Sequence, residues 1–296
     1  MQTNWMEKID DNTIISDINL PGTHNSCAKK ADFGFFSNCQ SKTVYEQLCA
    51  GVRFLDIRVE KKGDALIAVH AIANCRSPEN NEALRLDTVL DDCKKFLCEN
   101  PSETILFSFK RDDGEGDEKT FDLFFNTFVN DRFWYTKNAF PNLGEVRSRL
   151  VLLSRCNHFD NDFYKSKDTG IDLTKWPYQE KFKGKIFEKF SISEYEKSEK
   201  TTCLVQDMYR LNPREKWEKA ITPFLQNPPE AQGAIISFFS STTGLFTPKI
   251  TAKYINKRLK SSVLQRNKKY GWIIMDYPTE TFINEIINSN FKIEEK

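Results

Sequence analysis

The chain has 296 residues, with 43 Lys and Arg against 42 Asp and Glu, and a formal net charge of +1. That balance excludes a chain that grips nucleic acid by bulk charge, and 39% hydrophobic with 29% charged residues excludes a disordered one. A mean hydropathy of −0.56 and the lack of any apolar run of about 18 residues exclude an ordinary membrane span. At about 100–200 residues per domain the length suits one large unit, so residues 1–296 read as a single domain. No repeat, linker or low-complexity tract interrupts it. The 24 Phe are unusual; most should fill a core, leaving a few for a greasy surface. The opening MQTNWMEKIDDNTIISD lacks an apolar h-region, so no secretory signal is expected in the chain as written.

In chain order, short apolar runs predict strands at residues 18–20, 52–57, 66–69, 105–109, 150–153, 203–206, 234–238 and 272–276. Most are continuous rather than alternating, as in parallel strands buried on both faces. Helices are predicted at 43–50 before Gly51, 86–99 before Pro101, 119–130 and 213–226. The section 157–202 is too polar and long for a tidy crossover, so excursions are expected there. Eight strands with crossover-length connections predict an α/β fold, a single irregular TIM (β/α)8 barrel. The eight cysteines (Cys27, Cys39, Cys49, Cys75, Cys93, Cys98, Cys156 and Cys203) include no CxxC pair. They read as buried free thiols rather than a zinc cluster.

The residues at the ends of these strands carry the chemistry. They are His24 and Asn25, Asp56 and Arg58, His70, Lys110, Arg155, Asp207 and Tyr209, and Asp276. In a parallel barrel these ends meet on one face. Two of the three histidines lie among them, while His158 sits in a polar loop and is given no role. Two imidazoles can serve as general base and acid, carboxylates can orient them, and Arg58, Lys110 and Arg155 should form a locally cationic pocket for an anionic substrate. Arg58 opposes a divalent ion beside Asp56 and Asn25. The inventory predicts metal-free transfer at phosphorus, with no metal and no cofactor.

The segments LPGTHNS, AGVRFLDIR, a strand ending at His70, ETILFSFKRD, LVLLSR, LVQDMY and GWIIMDYP follow one another across residues 20 to 278, after an opening Trp5–Met6. Together they resemble the bacterial-type phosphatidylinositol-specific phospholipase C family over about the whole chain. The resemblance implies cleavage of phosphatidylinositol, or of its glycosylated anchor form, to diacylglycerol and inositol 1,2-cyclic phosphate. By that likeness His24 is the base, His70 the acid, Arg58 the phosphate stabiliser and Asp276 the residue that orients His24. Asp56 corresponds to the position that hydrogen-bonds the acid histidine, and Lys110, Arg155, Asp207 and Tyr209 to the inositol pocket. The resemblance further implies a secreted protein that acts as a monomer at a transient membrane surface.

The chain departs from the family at two places. Asn25 stands where the bacterial enzymes commonly carry Asp, and calcium-dependent relatives use Asn there as a ligand; Ala71 stands where Gly is usual. Arg58 occupies a position that is acidic in those relatives, which keeps the metal-free reading. Membrane contact is expected from Phe35 and Phe36 after the first strand and from Leu245 and Phe246 after the seventh. The alternatives are a non-catalytic or calcium-dependent barrel that binds inositol phospholipids, and a glycerophosphodiesterase-like enzyme.

Overall fold

The structure is a computed structural model and describes residues 3–112, 116–158, 164, 168–192 and 201–292. Its strands are β1 (Leu20–Thr23), β2 (Phe54–Lys62), β3 (Ala65–His70), β4 (Ala73–Asn74), β5 (Ile105–Arg111) and β6 (Trp134–Tyr135), followed by β7 (Leu150–Ser154), β8 (Ile171–Asp172), β9 (Glu188–Ile192), β10 (Thr201–Gln206), β11 (Ile235–Phe238) and β12 (Trp272–Met275). Seven of them form a curled parallel ribbon in the order β7-β5-β2-β1-β12-β11-β10. Short β6 and β8 add to β7 in parallel, and β9 returns antiparallel to β10. Among the described residues no ladder joins β7 or β8 to β9 or β10, so the distorted TIM barrel is open on that side.

The third predicted barrel strand is corrected here. Residues 66–69 lie in β3, which runs antiparallel to β2 as a hairpin rather than parallel within the barrel. The cause is local: β2 continues beyond the barrel to Lys62, and Gly63, with φ of 57°, turns the chain through Gly63-Asp64. Val59 faces Ala68 across the hairpin, so His70 is still delivered to the level of Arg58. The first strand is also displaced, from the predicted 18–20 to Leu20–Thr23.

The helix predicted at 213–226 is a composite, with an α-helical start at Pro213–Lys216, a π turn at Trp217–Ile221 and an α-helical end at Thr222–Gln226. Pro223 supplies no N–H to a regular ladder, and the wide turn precedes it. The helix Val44–Cys49 begins with a capping box from Thr43 and Glu46. Gly271 has φ of 67°, and a Cβ there would lie 2.3 Å from the Ile235 carbonyl oxygen. Only glycine permits β12 to start so close to β11. Eleven phenylalanines among the described residues are buried, and Phe107, Phe109, Phe121 and Phe124 stack between β5 and the helix Asp117–Phe128. Six more, Phe125, Phe128, Phe133, Phe140, Phe187 and Phe291, pack against the core from its edge, so the aromatic excess is largely core.

At the end of the barrel away from those strand termini, Arg53 and Glu103 form an ion pair with neither side chain exposed. Arg53 donates from Nε to Glu103 Oε2 at 2.9 Å and from Nη1 to the Leu48 and Val52 carbonyls, while the Met6 N–H donates to Glu103 Oε1. One pair thus ties the N-terminal segment to β2 and β5. Glu103→Gln should leave a buried guanidinium uncompensated and lower the unfolding free energy by about 3–5 kcal/mol. Urea unfolding of the two proteins measures this, and an unchanged midpoint would contradict it.

Candidate active site

The carboxyl ends of the parallel strands surround a cavity of about 350 Å³. His24, Arg58, His70, Lys110, Arg155, Asp207, Tyr209 and Asp276 all line it; Asn25 and Asp56 lie buried behind them. His24 Nδ1 is 2.8 Å from Asp276 Oδ1. A carboxylate only accepts, so Nδ1 carries the proton and Nε2 keeps a lone pair. Asn25 Nδ2 donates to that nitrogen at 3.0 Å, and its Oδ1 is buried with no partner. Gln40 fixes the local backbone by donating to the His24 and Met275 carbonyls.

His70 faces His24 edge-on, with ring centroids 6.0 Å apart. Its Nδ1 donates to the Ser37 carbonyl at 2.7 Å. Burial, then repulsion from His24, holds its pKa below the ordinary 6.5, with the Ser37 carbonyl acting the other way. The expectation that Asp56 bonds the second histidine is corrected: Asp56 instead accepts from Arg58 Nε at 3.0 Å, Arg155 Nη1 at 3.5 Å and the Asn25 N–H at 3.1 Å. The reason is burial. An enclosed carboxylate takes the guanidinium charges within reach rather than a neutral imidazole. Burial resists its ionisation, yet Arg58 and then Arg155 pull its pKa down to about 2.

The cations are not free, so the expected cationic pocket is corrected as well. Asp112 Oδ1 accepts from Lys110 at 3.1 Å and from Arg58 at 3.4 Å, and Oδ2 accepts from the Ala71 N–H at 2.8 Å. Asp56, Asp112, Asp207 and Asp276 stand against Arg58, Lys110 and Arg155. Arg58 is buried, which disfavours its charge, but Asp56 and Asp112 hold it above the ordinary guanidinium range. Arg155 lies over the Trp176 ring, 4.0 Å from its centroid. The Tyr209 and Tyr178 hydroxyls are hydrogen-bonded to each other.

The profile of the family described as "Phosphatidylinositol-specific phospholipase C, X domain" matches residues 18–156. Over 311 aligned positions the chain is 28% identical to a 1-phosphatidylinositol phosphodiesterase of Staphylococcus aureus (strain Newman), covering 97% of this chain and 94% of that one. A protein of the same name from Listeria monocytogenes is 25% identical over 304 positions, with 97% and 84% covered. A structure of the S. aureus phosphatidylinositol-specific phospholipase C matches with a TM-score of 0.76 at 25% identity, covering 98% of each chain. Over nearly its whole length the chain is similar to bacterial phosphatidylinositol-specific phospholipases C. The L. monocytogenes phosphatidylinositol-specific phospholipase C, with a TM-score of 0.71 at 22% identity over 98% of this chain and 99% of that one, agrees in fold.

Several residues of this site escape sequence reasoning. Asp112 was legible, since it sits two residues beyond Lys110 and so on the same face. Trp176, Tyr178 and Gln179 come from the polar stretch expected to make excursions, and no local pattern marks them. Lys216 is fully buried and donates to Gln206 Oε1 at 2.7 Å and the Met208 carbonyl at 2.9 Å, bracing the turn that carries Asp207. His158 is packed flat on Phe121, with ring centroids 3.4 Å apart. All eight cysteines are free; Cys98 is exposed and Cys49 half-buried, so the expected burial fails at those two. Among the described residues, His24, Cys39 and Asp276 form a group of donors close enough to share an ion.

In an imidazole NMR titration of the free protein, the His70 midpoint should fall below 6.5, with His70 neutral at pH 7. A midpoint above that value would contradict the burial argument.

Proposed function

We propose that the chain, acting as one catalytic barrel over residues 1–296, is a phosphatidylinositol-specific phospholipase C that needs no metal ion. The observation that carries this reading is the pair of imidazoles across one cavity, with the Nδ1 of His24 held by Asp276 at 2.8 Å and Arg58 beside them. His24 Nε2 takes the proton from the inositol 2-hydroxyl. The freed oxygen attacks phosphorus, and the bond to the diacylglycerol oxygen breaks as His70 protonates it. Because the nucleophile belongs to the substrate, little entropy is lost in aligning it. Water then opens the inositol 1,2-cyclic phosphate slowly, with the two histidines exchanging roles.

Arg58 is the group that meets the charge building on the non-bridging oxygens. His70 must be protonated to act, and the phosphodiester anion supplies the opposite charge that raises its pKa on binding. Asn25 Nδ2 donates to the Nε2 lone pair in the free protein and gives up that place when the inositol hydroxyl takes it. Lys110, Arg155, Asp207 and Tyr209 select the inositol ring through its hydroxyls and its flat face. His24→Ala and His70→Ala should each lower release of inositol cyclic phosphate by about 100-fold or more, with EDTA present throughout and unfolding midpoints retained. An active double variant would refute the assignment, and activity only with calcium would refute the metal-free mechanism.

The lipid is reached through an apolar rim. Leu245 is 87% exposed and Phe246 37% exposed, in a turn closed by mutual backbone hydrogen bonds between Thr243 and Phe246. Phe35, Phe36, their neighbour Phe33 and the unpredicted Ile72 are exposed too. Each follows a strand that ends at the cavity, so insertion of the rim would set the mouth on the bilayer. Among the described residues no helix is long and apolar enough to cross a membrane. A secreted monomer that binds the surface peripherally fits this arrangement. Replacing Leu245 and Phe246 together with Ala should cut vesicle cleavage by about tenfold or more, since each buried side chain contributes ~1.5–3 kcal/mol. Cleavage of a dispersed short-chain substrate should barely change; equal losses would refute the role.

A further inference from the structure

We propose that His24, Cys39 and Asp276 form a binding site for a soft divalent cation of the zinc class, whose occupancy switches the enzyme off. The switch rests on reading His24 as the base; the site itself rests on the donors alone. One ligand atom from each residue lies within 4.8 Å of the others. Imidazole, thiolate and carboxylate together suit zinc, whereas calcium takes only oxygen. Tetrahedral bonds of about 2.0–2.3 Å separate ligand atoms by roughly 3.4–3.7 Å. The side chains therefore need to shift by about an ångström. His24 and Asp276 open onto the cavity, which supplies an entry path and a water for the fourth position.

The Cys39 sulfur is buried, and it makes only weak thiol hydrogen bonds, to the Ser37 carbonyl at 3.6 Å and with His70 Nδ1 at 3.7 Å. It therefore gives up little by turning to an ion. On binding, the thiol proton leaves for solvent and sulfur bonds the metal as thiolate. The His24 Nδ1 proton moves to Nε2, so the ring stays neutral and Nδ1 becomes the ligand. Asn25 accommodates either form, because its amide donates to Nε2 as it stands and holds a buried, unpartnered Oδ1 in reserve. Turning the amide over lets that oxygen accept from Nε2–H. Charge agrees as well: four carboxylates face three cations around the cavity, the thiolate adds a second excess negative charge, and a divalent ion cancels both. With Nε2 protonated, no lone pair is left to deprotonate the inositol hydroxyl.

The test uses the purified full chain with cobalt chloride and zinc chloride. Cobalt should bring a thiolate-to-cobalt charge-transfer absorption that saturates at one ion per chain, is lost in Cys39→Ser and Cys39→Ala, and survives in Cys98→Ser. Zinc should inhibit turnover of a short-chain substrate reversibly with EDTA. Each Cys39 variant, referred to its own rate in EDTA, should need at least about tenfold more zinc for half inhibition. No cobalt band, or a band that persists without Cys39, overturns the site; a band with undiminished turnover overturns the switch. If neither Cys39 variant folds, zinc-edge X-ray absorption of the unaltered chain decides, because a ligand shell without sulfur overturns the site. Absence of cyclic phosphate production in EDTA would instead sink the functional reading and leave the cobalt result standing.

Discussion

The active site is organised around one buried carboxylate. Asp56 has no exposure to solvent, and an isolated charge there would cost several kcal/mol. Two guanidinium groups and the Asn25 N–H offset that cost. In doing so they fix Arg58, Arg155 and the turn that follows His24. The backbone joins in: the Ser26 N–H donates to the Asp56 carbonyl, and the Asp56 N–H donates to Ser26 Oγ. The ends of β1 and β2 are thereby locked side by side. Arg58 and Arg155 are thus in place before any ligand arrives, as the electrostatic preorganisation of the proposed mechanism requires.

This network changes the meaning of the neutral charge balance. Each cation at the mouth already has a carboxylate partner, so a bound phosphodiester gains little from simple charge attraction. In the proposed mechanism such an arrangement favours the state in which negative charge on the non-bridging oxygens is greatest, because only then does Arg58 gain more than it shares with Asp56 and Asp112. Under the proposed function, affinity for the lipid is left to the inositol hydroxyls and the apolar rim. A site of this kind tolerates overall neutrality without a polyanion-binding surface.

The strands buried on both faces were the most legible part of the fold, because continuous apolar runs leave little else for β5, β7 and β12 to be. The failures have separate physical causes. Pro21 and Gly22 look like breakers, yet β1 is held between β12 and β2, where tertiary pairing overrides local preference. The Gly63-Asp64 turn was a readable hairpin signal, and the apolar run after it resembles a barrel strand unless that turn is weighed. Ser37, which holds His70, acts through its carbonyl, and any residue could stand there. No reading of side-chain chemistry finds such a group.

His24, His70 and Asp276 share one further constraint. The residue after each, Asn25, Ala71 and Tyr277, has positive φ, at 43°, 50° and 45°. A left-handed residue turns the chain away sharply, so the preceding side chain is left at the lip of the barrel, facing the cavity. Asn tolerates that conformation, whereas Ala and Tyr are strained by roughly 1–2 kcal/mol each. Ala71 is secured by its N–H bond to Asp112, and Tyr277 by hydrogen bonds from its N–H to the Cys39 carbonyl and from its hydroxyl to the Asn38 carbonyl. The same contacts that oppose the strain connect the acidic network to the backbone beside Cys39. Strain, buried charge and the two imidazoles are therefore one mechanical unit, and a substitution in any of its parts should be felt at His24 and His70 before it is felt in the core.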